Sequence, residues 1–587
     1  MRGAVTARAA ALGLAFALIT TAMNVYLGIN LGMGMGLGVV SIMAAYAVFS
    51  RLGGPSKSEV AAAYVISTSS LAVHFTLGTV IFLAERYGDV QLPAWLLPPN
   101  FEGGPLTCWL RPVLTIFALE MAATLLGLAF TVAVAERLNK EETMVYPNVV
   151  ASASFLDACF EDSGAVRLVA VATAVGLVVT ALQHAASALG LNLVEVDLTP
   201  LLPRGAILSA SLSLGFAAVG YIVSSRVALS VLASGLVTYA LAGPILVSRG
   251  VIEYSPNPQE MYNNLMFGFS LSPALGVLIL GGIGLSLASL ALRRVKGNGG
   301  GEGEPRRVGY LELYRRLWGE ILSRPRTAAV VVGLSAALIA AAYALNPFSP
   351  MPPMFSVAFA VYAILIASFL ELVILMRMSG ETGMNMGTTG IVLYDVPVFA
   401  AGYRGYAGYL AGGYFRPSPW TGPSVGGLMK YMERMGLRLR DIVLAKLIGW
   451  IPTFALSAVL TLELWRRLGF GNEQMPAIGL LQMAVYVRML ATGDLGATVN
   501  PLAFLAGGAL GAAAEVLTPL SMTGLAIGML LPPAYALPIA AGGVVRWITD
   551  RRYGREFFKE RGILIATGVL ASSILVQVAA AVLRSLI

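Results

Sequence analysis

Apolar stretches long enough to cross a bilayer recur along this chain almost from end to end, with mostly short loops between them. A helical crossing takes about 20 mainly apolar residues. In hydrocarbon a segment must satisfy its own backbone N–H and C=O groups, which leaves helices or a closed barrel. Runs this long and continuous predict an all-α fold, a polytopic transmembrane helical bundle in a lipid bilayer. Charge agrees with that: 12% of the 587 residues are Asp, Glu, Lys or Arg, against about 25% in an ordinary soluble domain. No polar stretch is long enough to fold as a separate soluble domain. The first apolar run lacks a small-residue cleavage site before a polar mature region, so it reads as a retained span.

Eight spans are expected in the first half, near 8–28, 30–50, 59–84, 112–136, 166–190, 205–224, 226–248 and 266–292. Residues 293–326 then break the pattern with nine Lys/Arg against four Glu, first Gly-rich and then amphipathic. The expected organisation is a first membrane repeat at 1–292, a basic linker at 293–326 and a second membrane repeat at 327–587. The positive-inside bias places the linker, the N-terminus, Arg2, Arg8, Arg51, Lys57, Arg137 and Lys140 on the cytoplasmic side of a cell membrane. The net charge of +8 thus belongs to loops, and no nucleic-acid partner is implied.

Apolar segments of the second half lie near 327–346, 353–376, 386–413, 441–464, 476–492, 499–515, 517–531, 533–548 and 562–586. Several are short or interrupted by Gly and Pro, which predicts broken or re-entrant helices. Two basic stretches, 430–446 and 546–561, both favour the inside. A strict eight-plus-eight count puts at least one of them outside.

The halves resemble each other. VGYIVSSRVALSVLASGLV at 219–237 aligns with IGMLLPPAYALPIAAGGVV at 527–545 at a constant offset of 308. Gly220 then pairs with Gly528, Ala228-Leu229 with Ala536-Leu537, and Ala233, Gly235 and Val237 with Ala541, Gly543 and Val545. At slightly larger offsets Glu59 and Ser67 match Glu371 and Ser379, Gly127 matches Gly449, and Pro147 matches Pro476. A duplicated membrane bundle places a cavity between its halves, and rocking one half against the other gives alternating access. Channels are duplicated too, so the repeat supports movement of a solute without selecting a carrier.

Catalytic patterns are missing: there is no H-E-x-x-H, no Walker A sequence and no convincing nucleophile elbow. Two cysteines, Cys108 and Cys159, and two histidines, His74 and His184, form no metal-ligand spacing. The expectation is a protein that is not an enzyme and carries no cofactor or bound metal.

Polar groups inside apolar sequence are expensive and mark candidate function. In EVAAAYVISTSSLAVHFTLGT at 59–79, Ser67, Thr68, Ser69 and Ser70 form a polar belt deeper in the span than Glu59, and His74, further on, shares a helical face with Ser67 and Ser70. In RMSGETGMNMGTTGIVLYD at 377–395, Glu381, Thr382 and Asn385 sit in Gly-interrupted sequence that either meets the cytoplasmic interface or lines a cavity, and Arg377 poses the same choice. In PNVVASASFLD at 147–157, Pro147 opens a helix whose free N–H groups suit an anion, with Asn148 beside it. Glu59, which opens its span, and the intramembrane acids Glu120, Glu371 and Glu515 are candidates for proton coupling or for structural ion pairs.

NVYLGINLG (24–32), MVYPNVVASAS (144–154), VGYIVSSRVALSVLASG (219–235), IGMLLPPAYALPIAAGGVVRW (527–547) and ERGILIATGVLAS (560–572) follow one another along nearly the whole chain. In this order they resemble the oligopeptide transporter superfamily, which includes peptide carriers and yellow-stripe-like metal-chelate carriers. The resemblance implies about sixteen spans in two related halves and proton-coupled uptake of peptides or peptide-like metal chelates. It adds Asn24 and Tyr26 to the candidate substrate-binding residues. Two departures stand out: Asn30 replaces a typical Lys, and Ser572-Ser573 replace a Gly-Glu pair. The implied partners are a small solute, protons and lipid, with the oligomeric state open. The alternative is a passive channel or a carrier for another small polar solute.

Overall fold

The computed structural model describes residues 3–31, 38–71, 73–88, 90–101, 106–142, 144–161, 163–188, 195–281, 308–383, 389–406, 414–471, 475, 477–492 and 500–586. Helices dominate it. The first half holds α1 (Ala7–Leu31), α2 (Gly38–Arg51), α3 (Lys57–Ser67), α4 (His74–Arg86), α5 (Leu110–Glu141), α6 (Pro147–Glu161) and α7 (Ser163–Ala188). A small antiparallel hairpin, β1 (Glu195–Asp197) with β2 (Ser209–Ser211), precedes α8 (Leu214–Ile222). Two long helices with π-helical turns close this half, α9 (Ser225–Ser248) and α10 (Glu260–Gly281).

Before the second half, the linker region carries α11 (Tyr310–Ser323), whose Tyr310, Leu313, Leu317 and Ile321 are buried at helical spacing. Then come α12 (Pro325–Leu345), α13 (Pro353–Thr382), α14 (Thr421–Tyr431), α15 (Leu439–Leu468) and α16 (Ile478–Thr492). The chain closes with α17 (Pro501–Leu517), α18 (Met522–Leu530), α19 (Pro533–Tyr553) and α20 (Ile563–Leu586). Start signals are local. Ser56, Ser224, Asn500 and Ser521 cap their helices through the side chain, and Pro325, Pro353, Pro501 and Pro533 occupy first-turn positions where no N–H is needed.

Among the described residues seven helices are long and apolar enough to cross a membrane: α1, Thr107–Lys140 around α5, α9, α10, α12, α13 and α15. Gly38–Arg51, Arg167–Gln183, Pro501–Glu515 and Ile563–Ser573 are shorter apolar helices. Among the described residues the 59–84 stretch is interrupted after Ser67, the 205–224 stretch becomes β2 and α8, and the 386–413 stretch includes short helical pieces at Ile391–Asp395 and Val396–Ala400.

The offset of 308 has a physical cause. α8 and α18 are each nine residues long, and each precedes a long helix after a two-residue break. They pack crosswise, α8 on α19 and α18 on α9. A Cβ on Gly220 collides with the Ile539 carbonyl, and one on Gly528 collides with the Val231 carbonyl, the same contact 308 residues apart. Gly543 meets Ala228 as Gly235 meets Ala536. Small residues let these backbones touch, which is how helices associate where lipid supplies no hydrophobic drive.

Charged side chains pair across helices. Lys57 and Arg434 both pair with Asp157, Arg137 pairs with Glu312, and Arg8 pairs with Glu59. Tyr431, Tyr221, Phe558 and Ile563 share a packing cluster.

Candidate functional site

The break between α3 and α4 follows from its sequence. Ser67, Thr68 and Ser69 turn their hydroxyls back onto the last turn of α3: Ser67 Oγ donates to Tyr64 O (2.8 Å), Thr68 Oγ1 to Val65 O (3.1 Å) and Ser69 Oγ to Val65 O (2.6 Å). These bonds offer the terminal carbonyls an alternative to a further helical turn. The 68–73 segment then lies across α15 of the other half. Thr453 Oγ1 accepts from Leu71 N and Ser457 Oγ from Val73 N, each at 3.1 Å, while Lys446 Nζ donates to Thr68 O at 3.3 Å. Lys446, Gly449, Thr453 and Ser457 follow one another every three or four residues and so form one stripe. Gly449 lets the stripe close against Ser69.

His74 opens α4 and is 4% exposed. Among the described residues neither ring nitrogen has a hydrogen-bond partner. Its ring lies 4.4 Å from that of Phe75 and against Gly28 of α1, where any Cβ meets Nε2. Asn24 lies one turn before Gly28 on α1; both Asn24 and Tyr26 are half-buried. Thr76 Oγ1 meets the Tyr414 hydroxyl at 2.5 Å.

The common face expected for Ser67, Ser70 and His74 does not exist, because residues 68–73 are not helical. Ser67 is committed to packing, 2.7 Å from Ser41 Oγ of α2. Ser70 is exposed in the break, and His74 belongs to the next helix.

A second polar locus joins three of the sequence candidates. Val145 and Tyr146 donate their N–H groups to Gly380 O (2.7 and 2.8 Å), and Asn148 Nδ2 donates to Gly383 O (3.0 Å), fixing the start of α6 to the end of α13. Glu381 Oε2 accepts from Ser521 Oγ (3.0 Å), and Glu515 Oε2 accepts from Met522 N (2.7 Å), both at the first turn of α18. Thr382 Oγ1 donates to Met378 O of its own helix at 2.7 Å. Asn385 and Pro476 lie outside the described residues.

Three of the four acids have counter-charges. Glu59 accepts from Arg8 Nε (2.6 Å) and Nη2 (2.5 Å), and also from Thr6. Glu371 pairs with Arg416 (3.0 Å) and Glu515 with Arg226 (3.2 Å). Glu120 differs: its buried Oε2 has no hydrogen-bond partner among the described residues. Arg377 holds a counter-charge as well. It is 4% exposed and forms a two-point ion pair with Glu142 (2.6 and 3.1 Å), further held by Val308 O (2.6 Å).

Lys446, Thr453, Ser457, Arg416 and Glu142 escape a reading of the sequence. For Lys446 a signal existed: IVLAKLIGW is apolar on both sides of the lysine, which argues for a span and against the basic loop to which 430–446 is assigned by charge. A family model described as OPT oligopeptide transporter protein matches residues 4–584. Comparison with curated proteins finds no match.

Proposed function

The chain belongs to the OPT oligopeptide transporter family, and from that premise we propose that it is a secondary active importer of short peptides or peptide-like metal chelates, coupled to protons. Family membership supports a helical, multi-pass membrane transporter of oligopeptides or similar solutes. The observation that carries the finer reading is the broken α3/α4 helix, with His74 unpartnered among the described residues at the start of α4. Discontinuous helices at the interface of two repeats are where secondary transporters bind their solutes. In this reading Asn24, Tyr26, Ser70 and His74 line the solute path, with Asn148, Glu381, Thr382 and Asn385 at its second polar locus. Ser67 supports the break from behind. The halves 1–292 and 327–587 rock against each other across about sixteen crossings, joined by the 293–326 linker. Arg8, Lys57, Arg137 and Arg434 face the cytoplasm of a cell membrane.

The test is uptake by proteoliposomes under an imposed inward proton gradient. Short peptides or metal chelates accumulate inside; if they fail to do so while an unrelated solute accumulates, the substrate assignment is wrong. Current that rises without saturation as solute concentration rises identifies a channel instead.

Of Glu59, Glu120, Glu371 and Glu515, Glu120 is the proton carrier in this proposal, since the other three hold counter-charges. Glu120→Gln is expected to abolish gradient-driven accumulation while leaving solute exchange at equal pH intact. Accumulation at the wild-type level removes Glu120 from the mechanism.

A further inference from the structure

We infer that Lys446 binds the carboxylate of the transported peptide, at a site between the two halves of the broken α3/α4 helix. The inference rests on the peptide reading above and assigns the group that recognises the peptide's charged end.

Lys446 lies within α15, 2% exposed. Its ammonium has three donors, and the Thr68 carbonyl at 3.3 Å is its hydrogen-bond partner among the described residues. No Asp or Glu among them forms an ion pair with it, although other buried cations here, Arg377 and Arg416, each have one. A buried charge without a counter-charge costs several kcal/mol. The carbonyl end of α3 offsets part of that through its negative dipole, and two donors remain to be filled.

The surroundings select an anion. α4 begins across the break, thirteen residues long, and its N-cap Val73 offers no side-chain cap. Its first turn therefore presents N–H groups and the positive end of a helix dipole towards the break. His74, buried with both ring nitrogens unpartnered among the described residues, stands at that same terminus. Between the two ends Ser70 is exposed and Thr68 half-buried, so the segment is reached from outside the packed core. An ammonium on one side and a helix N-terminus on the other repel a cation and fit a single carboxylate, and the His74 imidazole at that terminus has an N–H to donate. The repeat places this charge in one half alone: at the offset that pairs Gly127 with Gly449, Lys446 matches Thr124. The assigned polarity is therefore a property of one half of the bundle.

The experiment compares binding of short alanine peptides, as free acids and as C-terminal amides, to the full chain in lipid nanodiscs. The same peptides are followed for accumulation in proteoliposomes. Wild-type protein is expected to prefer the acid by at least about tenfold, the effect of one charge-assisted hydrogen bond. Lys446→Met is expected to bring the acid-to-amide ratio to about one, and Lys446→Arg to keep part of the preference. Equal binding of acid and amide by wild type, with peptide still accumulated, overturns the Lys446 assignment and leaves the transport reading standing. A folded Lys446→Met that keeps the wild-type ratio does the same. Failure of every peptide both to bind and to accumulate overturns both. The wild-type comparison needs no variant, so misfolding of Lys446→Met does not shelter the proposal.

Discussion

Arg416→Met is expected to destabilise the protein severely, by about 3–5 kcal/mol, because it removes one partner of a buried ion pair. Arg416 and Glu371 have side chains 3% and 1% exposed, with Nη1 and Oε2 3.0 Å apart. The guanidinium also lies 4.0 Å from the centre of the Tyr394 ring, and Glu371 Oε1 accepts from Thr389 at 3.4 Å. Without the arginine a carboxylate stays in the core with weak neutral donors and no counter-charge. Removing both charges together, in Glu371→Leu/Arg416→Met, leaves no orphan and is expected to recover most of the loss. Thermal unfolding in detergent, followed by near-ultraviolet dichroism, measures both. A single variant as stable as wild type, or a double variant no better than the single, refutes a structural role for the pair. That outcome returns Glu371 to the candidates for proton transfer.

Gly220→Leu and Gly528→Leu form the second large effect, and they are expected to be alike. At each position the added Cβ runs into a backbone carbonyl, of Ile539 and Val231 respectively. A backbone does not rotate away as a side chain does, so the half-helix must lift off the long helix of the other repeat. Overpacking of this kind costs about 1–3 kcal/mol and sometimes more, and here it forces apart two helices whose backbones touch. Gly319→Leu is the control, since that glycine lies within a helix with nothing near its missing Cβ. Both substitutions are expected to lower the unfolding temperature well below that of the control. Equal midpoints for all three would falsify the close-contact account.

Helix starts are set by residues close in the chain, Ser224 and Ser521 before their helices and Pro325 and Pro501 in first turns. The repeat was legible because close contact demands small residues at fixed positions, as at Gly220 and Gly528. His74 and Glu120 stood out as polar groups in apolar runs, and burial leaves both with unpartnered atoms among the described residues. The shared face of Ser67, Ser70 and His74 failed for a physical reason. Helical spacing presumes a continuous helix, and three successive hydroxyls ended this one.

By itself, the sequence determined the helical, multi-pass membrane class and the family, since the first is written in local hydrophobicity and the second in short motifs. Tertiary structure decided where a span breaks and which charges are spent. Thr453 and Ser457 satisfy N–H groups more than 380 residues away in the chain, and Glu142 neutralises Arg377 at a separation of 235. Such partners meet only once the bundle is packed. Buried charge and broken backbone are tolerable only where partners meet, and partners this far apart in the chain leave no local pattern to read.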